Sequence, residues 1–295
     1  MKIKDYTYNF IEIMLDTLCN NSKIEDIMDI VNYNFKNINS DIKKAFPNKS
    51  TGRLSLGRDR DRISPVLNHY KHTFSMLRGS KINYSDRILV IDKLKYSGDT
   101  MNNITIISNV YKSDTLNELK DLNSVIYTIG NFIPVPIITN GGKIKSFNQH
   151  RGTWSKTKDY WDLTMKWIHE YYFTKECNDI FLNANALWFD QFNKNEEGWK
   201  KFVDYHFLND YVDKDYNLIL LWSASAKDRN VEDEEDLIEF KRFCKLSRLC
   251  IINRSLRIIK HLKTENEHIK KLCEAEIKKN NNEIKLIKNP INGIK

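Results

Sequence analysis

The strongest constraint on the fold of this chain is the stretch 126–172, where an apolar segment, a polar turn and an aromatic segment follow in that order. The three parts read YTIGNFIPVPII, FNQHRGTWSK and DYWDLTMKWIHEYYF. Because the flanking parts are apolar enough to be buried, the turn is expected to lie between rigid elements of the core. Polar side chains held in this way commonly form ligand sites, so we predict that Asn148, Gln149, His150 and Arg151 belong to one.

Hydrophobic periodicity predicts an α+β protein that is predominantly helical, with a small central antiparallel or mixed sheet. Strands are expected at RILVID (87–92) and ITIIS (104–108), and the polar residues YSGDTMNN between them are expected to form a turn. Two prolines make FIPVPII an edge strand or an irregular one. NLILLW (217–222) is the remaining strand candidate.

Beyond Asp159 the chain is expected to be almost wholly helical, because apolar residues recur there at intervals of three and four. Asp159 is expected to cap the first of these helices, and the acidic run EDEED to cap the last. The expected helices are 159–173, 176–193, 196–212 and a long one from about Glu232 to His261.

The 295 residues divide by pattern into three parts. Residues 1–50 are expected to form an N-terminal helical extension, residues 51–262 the main α+β domain, and residues 263–295 a charged C-terminal helical tail. A hydrophobic fraction of 41% with 12% aromatic residues is enough for a packed core and argues against general disorder.

The formal net charge of +8 comes from 47 basic and 39 acidic residues, a modest surplus on a densely charged surface. It leaves open a nucleic-acid partner and an ordinary solvated surface, because nucleic-acid binders more often carry a basic stripe. Five cysteines without a C-x-x-C pair predict neither a zinc site nor a disulfide scaffold and fit a cytoplasmic location. No apolar window approaches the length of a membrane span, so no membrane partner is expected.

The first candidate site is the alternating run RDRDR (58–62), which directly precedes a helix predicted to begin at Ser64. Arginines ahead of a helix N-terminus can receive an anion, since the free amides and the helix dipole add to their field. We therefore predict that Arg58 and Arg60 bind the ligand. Alternating charge is more often typical of a solvated loop that neutralises itself, and that interpretation stays open.

The second candidate site is the polar turn itself. Arg151 and Lys156 are predicted to bind an anionic group of the ligand, with Asn148 as an orienting ligand-binding residue. His150 is the predicted catalytic acid–base group, because a histidine titrates near neutral pH without special tuning.

Carboxylates near the turn have two interpretations. Asp61 or Asp162 could act as the catalytic partner of His150. Alternatively, Arg151 pairs with Asp159 or Asp162 and so holds the turn against the helix, which would be a purely structural role.

Motifs of the common cofactor and hydrolase classes are absent, since the sequence has no Walker loop, G-x-G-x-x-G, H-E-x-x-H or G-x-S-x-G. The cofactor is therefore unknown. His69 and His72 would lie on one side of a helix, but no third ligand has a recognisable spacing, so no metal site is predicted.

Three motifs of the central stretch are YTIGN (127–131), SFNQHRG (146–152) and DYWDLTMKW (159–167). They resemble an uncharacterised bacterial family known only as a domain of unknown function, although Tyr160 stands where that family has arginine. The upstream RDRDRISPVLNHYKHTFSML and the downstream GWKKFVDYHFLNDYVDKDYNLILLW are similar to further segments of the family. The resemblance covers roughly residues 55–260.

The resemblance implies that the two candidate sites belong to one fold, and it implies no activity. The residues that it would bring together in space are Arg60, Asp61, Asn148, Arg151, Asp159 and Asp162.

Three functions remain open at this point. The preferred one is a cytoplasmic protein that binds a phosphate-bearing ligand, either a nucleotide or RNA, in a basic pocket. The second is a protein-binding inhibitor or interaction protein without a small-ligand site. The third is an enzyme that acts on a nucleotide or a nucleic acid. The abundance of Ile, Lys and Asn suggests an AT-rich bacterial or phage genome, so a role in phage defence or anti-defence is included.

Overall fold

Helices and one small sheet make up the protein, as a computed structural model shows. The structure describes residues 27–33, 82–85, 88–91, 94–103, 116–140, 143–147, 151, 156–263 and 265–288. Helices predominate within these ranges, and five strands form the sheet. The predicted α+β class, mostly helical with a small sheet, is therefore confirmed.

The sheet is an antiparallel meander in the order β1-β2-β3-β4-β5. Its strands are β1 (Ile82–Ser85), β2 (Ile88–Ile91), β3 (Leu94–Thr100), β4 (Phe132–Asn140) and β5 (Lys143–Ser146). The register places Leu89 opposite Tyr96 and Ser97 opposite Val135. Of the two predicted alternatives, antiparallel and mixed, the described strands form the antiparallel one.

The third strand shows that the polar turn predicted at YSGDTMNN is wrong. Tyr96–Thr100 of that segment belong to β3, with β2 paired to the first half of the strand and β4 to the second. Pairing of this kind outweighs the low β propensity of Ser, Gly and Asp. The predicted strand at RILVID is confirmed by β2, whereas ITIIS lies outside the described residues.

For FIPVPII the sequence predicts an edge strand or an irregular one, and the edge alternative is wrong because β4 lies between β3 and β5. Pro134 and Pro136 oppose Gly98 and Tyr96 of β3, whereas β5 pairs with Ile137–Asn140. Proline has no N–H to give to a ladder. Both prolines therefore lie in the half of β4 that pairs with β3, and outside the half that pairs with β5.

The α-helices follow the predicted apolar periodicity except where two predicted helices are broken. The predicted helix 196–212 ends at Tyr205 and is followed by a 3₁₀ turn at Asn209–Tyr211. The predicted helix 176–193 becomes two short helices and a 3₁₀ turn, with the break at Asn185, whose side chain donates to the Phe181 carbonyl. The described helices are α1 (Ile27–Val31), α2 (Asn117–Val125), α3 (Trp161–Phe173), α4 (Ile180–Ala184), α5 (Ala186–Phe189), α6 (Glu196–Tyr205), α7 (Glu234–Leu262) and α8 (Glu267–Lys288). The 3₁₀ turns are Ile129–Asn131, Asp190–Phe192 and Asn209–Tyr211.

The 29-residue helix α7 runs through the core and packs against α1, α2 and α8. The Asp233 side chain accepts a hydrogen bond from the Asp236 N–H and caps the helix, which confirms the capping interpretation of EDEED. Buried residues then follow one another along the helix from Phe240 to Ile259.

Helix α7 is held to the sheet at a position where glycine is required. The Gly130 N–H donates to the Ser255 hydroxyl at 2.9 Å, and a Cβ atom on Gly130 would lie 1.9 Å from the Ile251 carbonyl oxygen. The buried Arg254 guanidinium donates to the Gly130 and Phe132 carbonyls. Because glycine permits this approach, the start of β4 is fixed against the helix.

The predicted C-terminal tail docks on the main body through α8. Ile269, Cys273 and Ile284 of α8 are buried, and the Asn280 amide donates to the Asn253 side chain of α7 at 2.9 Å. The predicted domain boundaries stay a prediction. Within the described residues, no helix combines the length and the apolar character that crossing a bilayer requires.

Candidate functional site

The predicted site residues fall into two groups. The structure describes Arg151, Lys156 and Asp162. The others lie outside the described residues, so their roles and their convergence stay predictions; they are Arg58, Arg60, Asp61, Asn148, Gln149 and His150.

The predicted anion-binding residue Arg151 is fully buried among partners from the protein. Its Nε donates to the Asp159 carboxylate at 3.2 Å and its Nη2 to the Thr100 carbonyl at 2.5 Å. The Asp99 carboxylate lies 3.5 Å from Nη2, and the Trp161 ring centroid lies 5.3 Å from the guanidinium carbon. This geometry matches the alternative in which Arg151 holds the turn against the helix, while its role as a ligand contact stays a prediction.

Asp159 is not the helix cap that the sequence predicts. Tyr160 occupies the N-cap position of α3, with no side-chain cap bond. Asp159 instead adopts a left-handed backbone, with φ of 61°, and its carboxylate accepts hydrogen bonds from Arg151 and Asn103. The charged partner Arg151 outweighs the capping preference, because hydrogen bonds between charged groups are the stronger ones.

The predicted catalytic partner Asp162 forms a buried ion pair with Arg229. Both side chains are fully buried, and the Arg229 Nη1 and Nη2 atoms donate to the two Asp162 oxygens at 2.9 and 2.6 Å. A bidentate pair of this kind fixes the direction of both side chains. A catalytic role for Asp162 stays a prediction, but both of its oxygens already accept hydrogen bonds from the protein.

Aromatic rings enclose the Arg229 guanidinium. The ring centroids of Tyr160, Phe243 and Trp222 lie 4.6, 5.4 and 5.6 Å from its carbon. Burial raises the pKa of Tyr160 to about 12, although the charge of Arg229 acts in the opposite direction. The ion pair is thus surrounded by neutral rings, which strengthens its hydrogen bonds by excluding water.

The Asp162–Arg229 pair also holds the chain segment that follows. Asp162 Oδ2 accepts hydrogen bonds from the Leu221 and Trp222 N–H groups at 3.0 and 3.4 Å. Arg229 donates to the Trp222 and Ala224 carbonyls at 2.6 and 3.1 Å. The segment is therefore fixed against the start of α3 by one pair of charges.

These bonds explain why NLILLW is not the strand that the sequence predicts. Within the described residues its strand contact is an isolated antiparallel bridge between Leu218 and Val212. The N–H groups that a ladder would need at Leu221 and Trp222 are bonded to Asp162. The segment has the apolar pattern of a strand, but its backbone N–H groups donate to the Asp162 carboxylate, which lies far away in sequence.

An open groove of about 380 Å³ lies between this segment and α3. Helix α3 contributes one face, whose residues are spaced at i, i+3, i+4 and i+7 and so point the same way. They are Leu163, Lys166, Trp167 and Glu170. The other lining residues are Lys156, Leu220, Ser223, Ala224, Ser225, Ala226 and Lys227.

The groove is lined by more positive than negative charge. Lys156, Lys166 and Lys227 contribute ammonium groups, and Glu170 contributes the carboxylate. Lys166, Lys227 and Glu170 are exposed to solvent, and the Lys156 side chain is 58% exposed and 4.0 Å from Asp179. The structure thus places the predicted ligand-binding residue Lys156 at an open, basic site.

Sequence reasoning did not identify Lys166, Glu170 or Lys227. A signal for the first two existed, because Lys166 and Glu170 share one face of a mostly apolar helix with Leu163. No comparable signal marks Lys227. Its position opposite α3 depends on the Asp162–Arg229 pair, which joins residues 67 apart in sequence.

Comparisons with known proteins agree with the resemblance seen in the motifs. No curated protein and no solved structure is significantly similar to this chain. Residues 31–258 match a family described as "Family of unknown function (DUF6994)". The match includes Arg151, the Asp162–Arg229 pair and the whole groove, and it ends before α8. The chain belongs to this family of unknown function.

Proposed function

We propose that this protein binds a phosphate-bearing ligand, a nucleotide or RNA, in the lysine-lined groove between α3 and residues 220–227. The observation that carries the proposal is the meeting of Lys156, Lys166 and Lys227 around one concave site of about 380 Å³. Lysine ammonium groups are common phosphate ligands, and they act there as compact point charges.

The size and composition of the groove support a small-molecule ligand. Pockets for such ligands usually measure roughly 300–1,000 Å³ and combine apolar lining with a few polar groups. Here Leu163, Leu220 and Ala226 supply apolar surface, and Ser223 and Ser225 supply hydroxyl groups. The Ser225 hydroxyl donates to Asp228, so its oxygen is directed by an existing bond.

The frame of the groove supports binding without large rearrangement. One wall is a regular helix, and the other is held by the buried Asp162–Arg229 pair through backbone hydrogen bonds. Because the walls are already ordered, binding does not require a loss of conformational entropy there, and the free-energy cost of association is lower.

A cytoplasmic location is part of the proposal. The cysteines at 177, 244, 250 and 273 are free thiols, and burial raises the pKa of the Cys244 and Cys250 thiols. Thiols that stay protonated and buried fit a reducing compartment.

The test is a titration of the purified protein with ADP and with a short single-stranded RNA, at low and at high salt, by isothermal calorimetry. Lys166→Ala and Lys227→Ala should each weaken binding roughly tenfold, since a charge-assisted contact contributes about 1.5–3 kcal/mol. Lys201→Ala on α6 is the matched control, because Lys201 is similarly exposed and does not line the groove. Equal affinity of the groove variants and the control would refute the proposal.

The protein-binding alternative has one supporting observation. Phe173, Ile180 and Leu187 are large apolar residues that are 49%, 80% and 71% exposed. Exposed apolar residues close in sequence can form part of a protein-binding surface. The test is a triple variant with Phe173→Ser, Ile180→Ser and Leu187→Ser. If this variant binds every protein partner that the wild type captures, the alternative is wrong. The enzyme alternative rests on His150 as the acid–base group with Asp61 or Asp162 as its partner, and it stays a prediction.

A further inference from the structure

We infer that the ligand of the groove is a single nucleotide whose sugar or base donates a hydrogen bond to Glu170 while its phosphates contact the lysines. This inference rests on the proposed function and narrows it to a monomeric nucleoside phosphate. It follows from the charge order along the groove, from its apolar surface and from its volume.

The charge order is set by helix α3. Lys166 and Glu170 lie one turn apart on the groove face, and Leu163 lies one turn before Lys166. At 1.5 Å per residue the face from Leu163 to Glu170 is about 10 Å long. Along this face Lys166 therefore lies in the middle and the Glu170 carboxylate at the C-terminal end, while Lys156 and Lys227 line the groove from outside α3.

The Glu170 carboxylate is available to a ligand. Among the described residues it takes part in no ion pair, although Lys166 lies at the spacing where such pairs form. An ionised carboxylate only accepts hydrogen bonds, so it favours a ligand with O–H or N–H groups and repels a second phosphate. Sugar hydroxyls and the amino or imino groups of bases are donors of this type.

The apolar part of the groove suits a flat ring. Leu163, Leu220, Ala226 and Trp167 line it, with Trp167 itself 2% exposed. Trp167 itself is held in place, because it stacks on Phe147 at 5.5 Å and its indole N–H donates to Asp179 at 3.2 Å. A fixed apolar surface beside charged groups matches a ligand that carries a base at one end and phosphates at the other.

The volume favours one nucleotide over a polymer. About 380 Å³ is near the lower limit of small-ligand pockets, and sites for single-stranded nucleic acid are instead extended grooves that follow several nucleotides. Such grooves stack successive bases on aromatic rings. The aromatic ring that lines this groove is that of Trp167, within the part of the chain that the structure describes.

The experiment compares three probes on the full chain: inorganic pyrophosphate, the four common nucleoside diphosphates, and a short single-stranded RNA. At least one nucleoside diphosphate should bind roughly tenfold more tightly than pyrophosphate, which corresponds to one good hydrogen bond to a charged group with its packing. Glu170→Gln should reduce that preference to threefold or less while leaving pyrophosphate binding equal or tighter. Glu176→Gln, an exposed carboxylate outside the groove lining, is the matched control.

The outcomes separate this inference from the proposed function. If no probe binds in a way that Lys166→Ala weakens, the proposed function fails and this inference with it. If pyrophosphate binds and Lys166→Ala weakens it, but nucleosides add nothing or Glu170→Gln leaves their preference unchanged, the inference alone is overturned. RNA binding that exceeds that of every nucleoside diphosphate would likewise overturn it. Glutamine has nearly the helix propensity of glutamate, so the variant is expected to fold.

Discussion

Lys227 and Arg229 lie two residues apart, yet their charges are used in opposite ways. The Arg229 side chain is fully buried and paired with Asp162, whereas Lys227 is exposed at the groove. A planar guanidinium can satisfy two carboxylate oxygens and two carbonyls at once, as Arg229 does, while an ammonium group is compact and strongly hydrated. The comparison teaches that at these two positions the arginine belongs to the interior and the lysine faces the groove.

Arg151 and Lys156 form a second pair of the same kind. The Arg151 guanidinium is buried between Asp99 and Asp159, and Lys156, five positions later, opens onto the groove. In both pairs a buried arginine thus lies within five residues of a lysine that lines the groove. Substitutions in the interior should therefore change stability, and substitutions in the groove should change binding.

The largest expected effect is that of Asp162→Ala. It leaves the Arg229 charge buried without a carboxylate and releases the wall of the groove, so we expect the free energy of unfolding to fall by about 3–5 kcal/mol. Urea unfolding followed by tryptophan fluorescence measures it. The double variant Asp162→Leu, Arg229→Met should recover much of the loss, because it removes both charges. If Asp162→Ala has the same urea midpoint of unfolding as the wild type, the structural role of the pair is contradicted.

Arg151→Met should have the next largest effect. It leaves the Asp99 and Asp159 carboxylates buried without their cation, and we expect a loss of about 3 kcal/mol in the free energy of unfolding. The folded variant should bind ADP with a Kd within about twofold of the wild-type value, since Arg151 is buried away from solvent. Loss of ADP binding with unchanged stability would instead support the sequence prediction that Arg151 contacts the ligand.

The contrast between these variants shows what sequence patterns could predict. The pairing of Arg151 with a nearby carboxylate was one of two interpretations, because both partners lie within a few positions of each other. The Asp162–Arg229 pair was not predicted, since nothing local in sequence links residues 67 apart. Helices α3, α6 and α7 were predicted because an apolar stripe of period 3.6 is a local property.

Lys227→Glu tests the role of the exposed lysine in the comparison of Lys227 with Arg229. We expect ADP affinity to fall at least tenfold, or about 1.4 kcal/mol, by reversal of one charge at the site. The free energy of unfolding should change by no more than about 0.5 kcal/mol, as is usual for exposed positions. Lys201→Glu on α6 serves as the control, and the two variants should differ in calorimetric titrations. Equal losses in both would show that net charge, and not the groove, governs binding.

The smallest expected effect concerns pH and the buried side of α3. Burial against Phe173 and Trp199 lowers the pKa of His169 below its ordinary value of 6.5. As pH falls through that value, the unfolded chain takes up a proton more readily than the folded protein, so stability decreases. His169→Phe, which keeps the aromatic contacts, should reduce this decrease between pH 7 and pH 5. Some decrease should remain, because burial also lowers the pKa of His261. If the stability of His169→Phe falls with pH as much as that of the wild type, the assignment of this effect to His169 is wrong.

Local patterns by themselves determined the helical character of the chain, the capping of α7 by Asp233, and the burial of the aromatic helix α3. Tertiary contacts decided the rest. They made a strand of the polar segment at Tyr96–Thr100, and they kept NLILLW out of the sheet by bonding its N–H groups to Asp162. The physical reason is that periodicity reports which face of an element is apolar, whereas the partner of a buried charge or a backbone N–H is chosen by distant residues once the chain is compact.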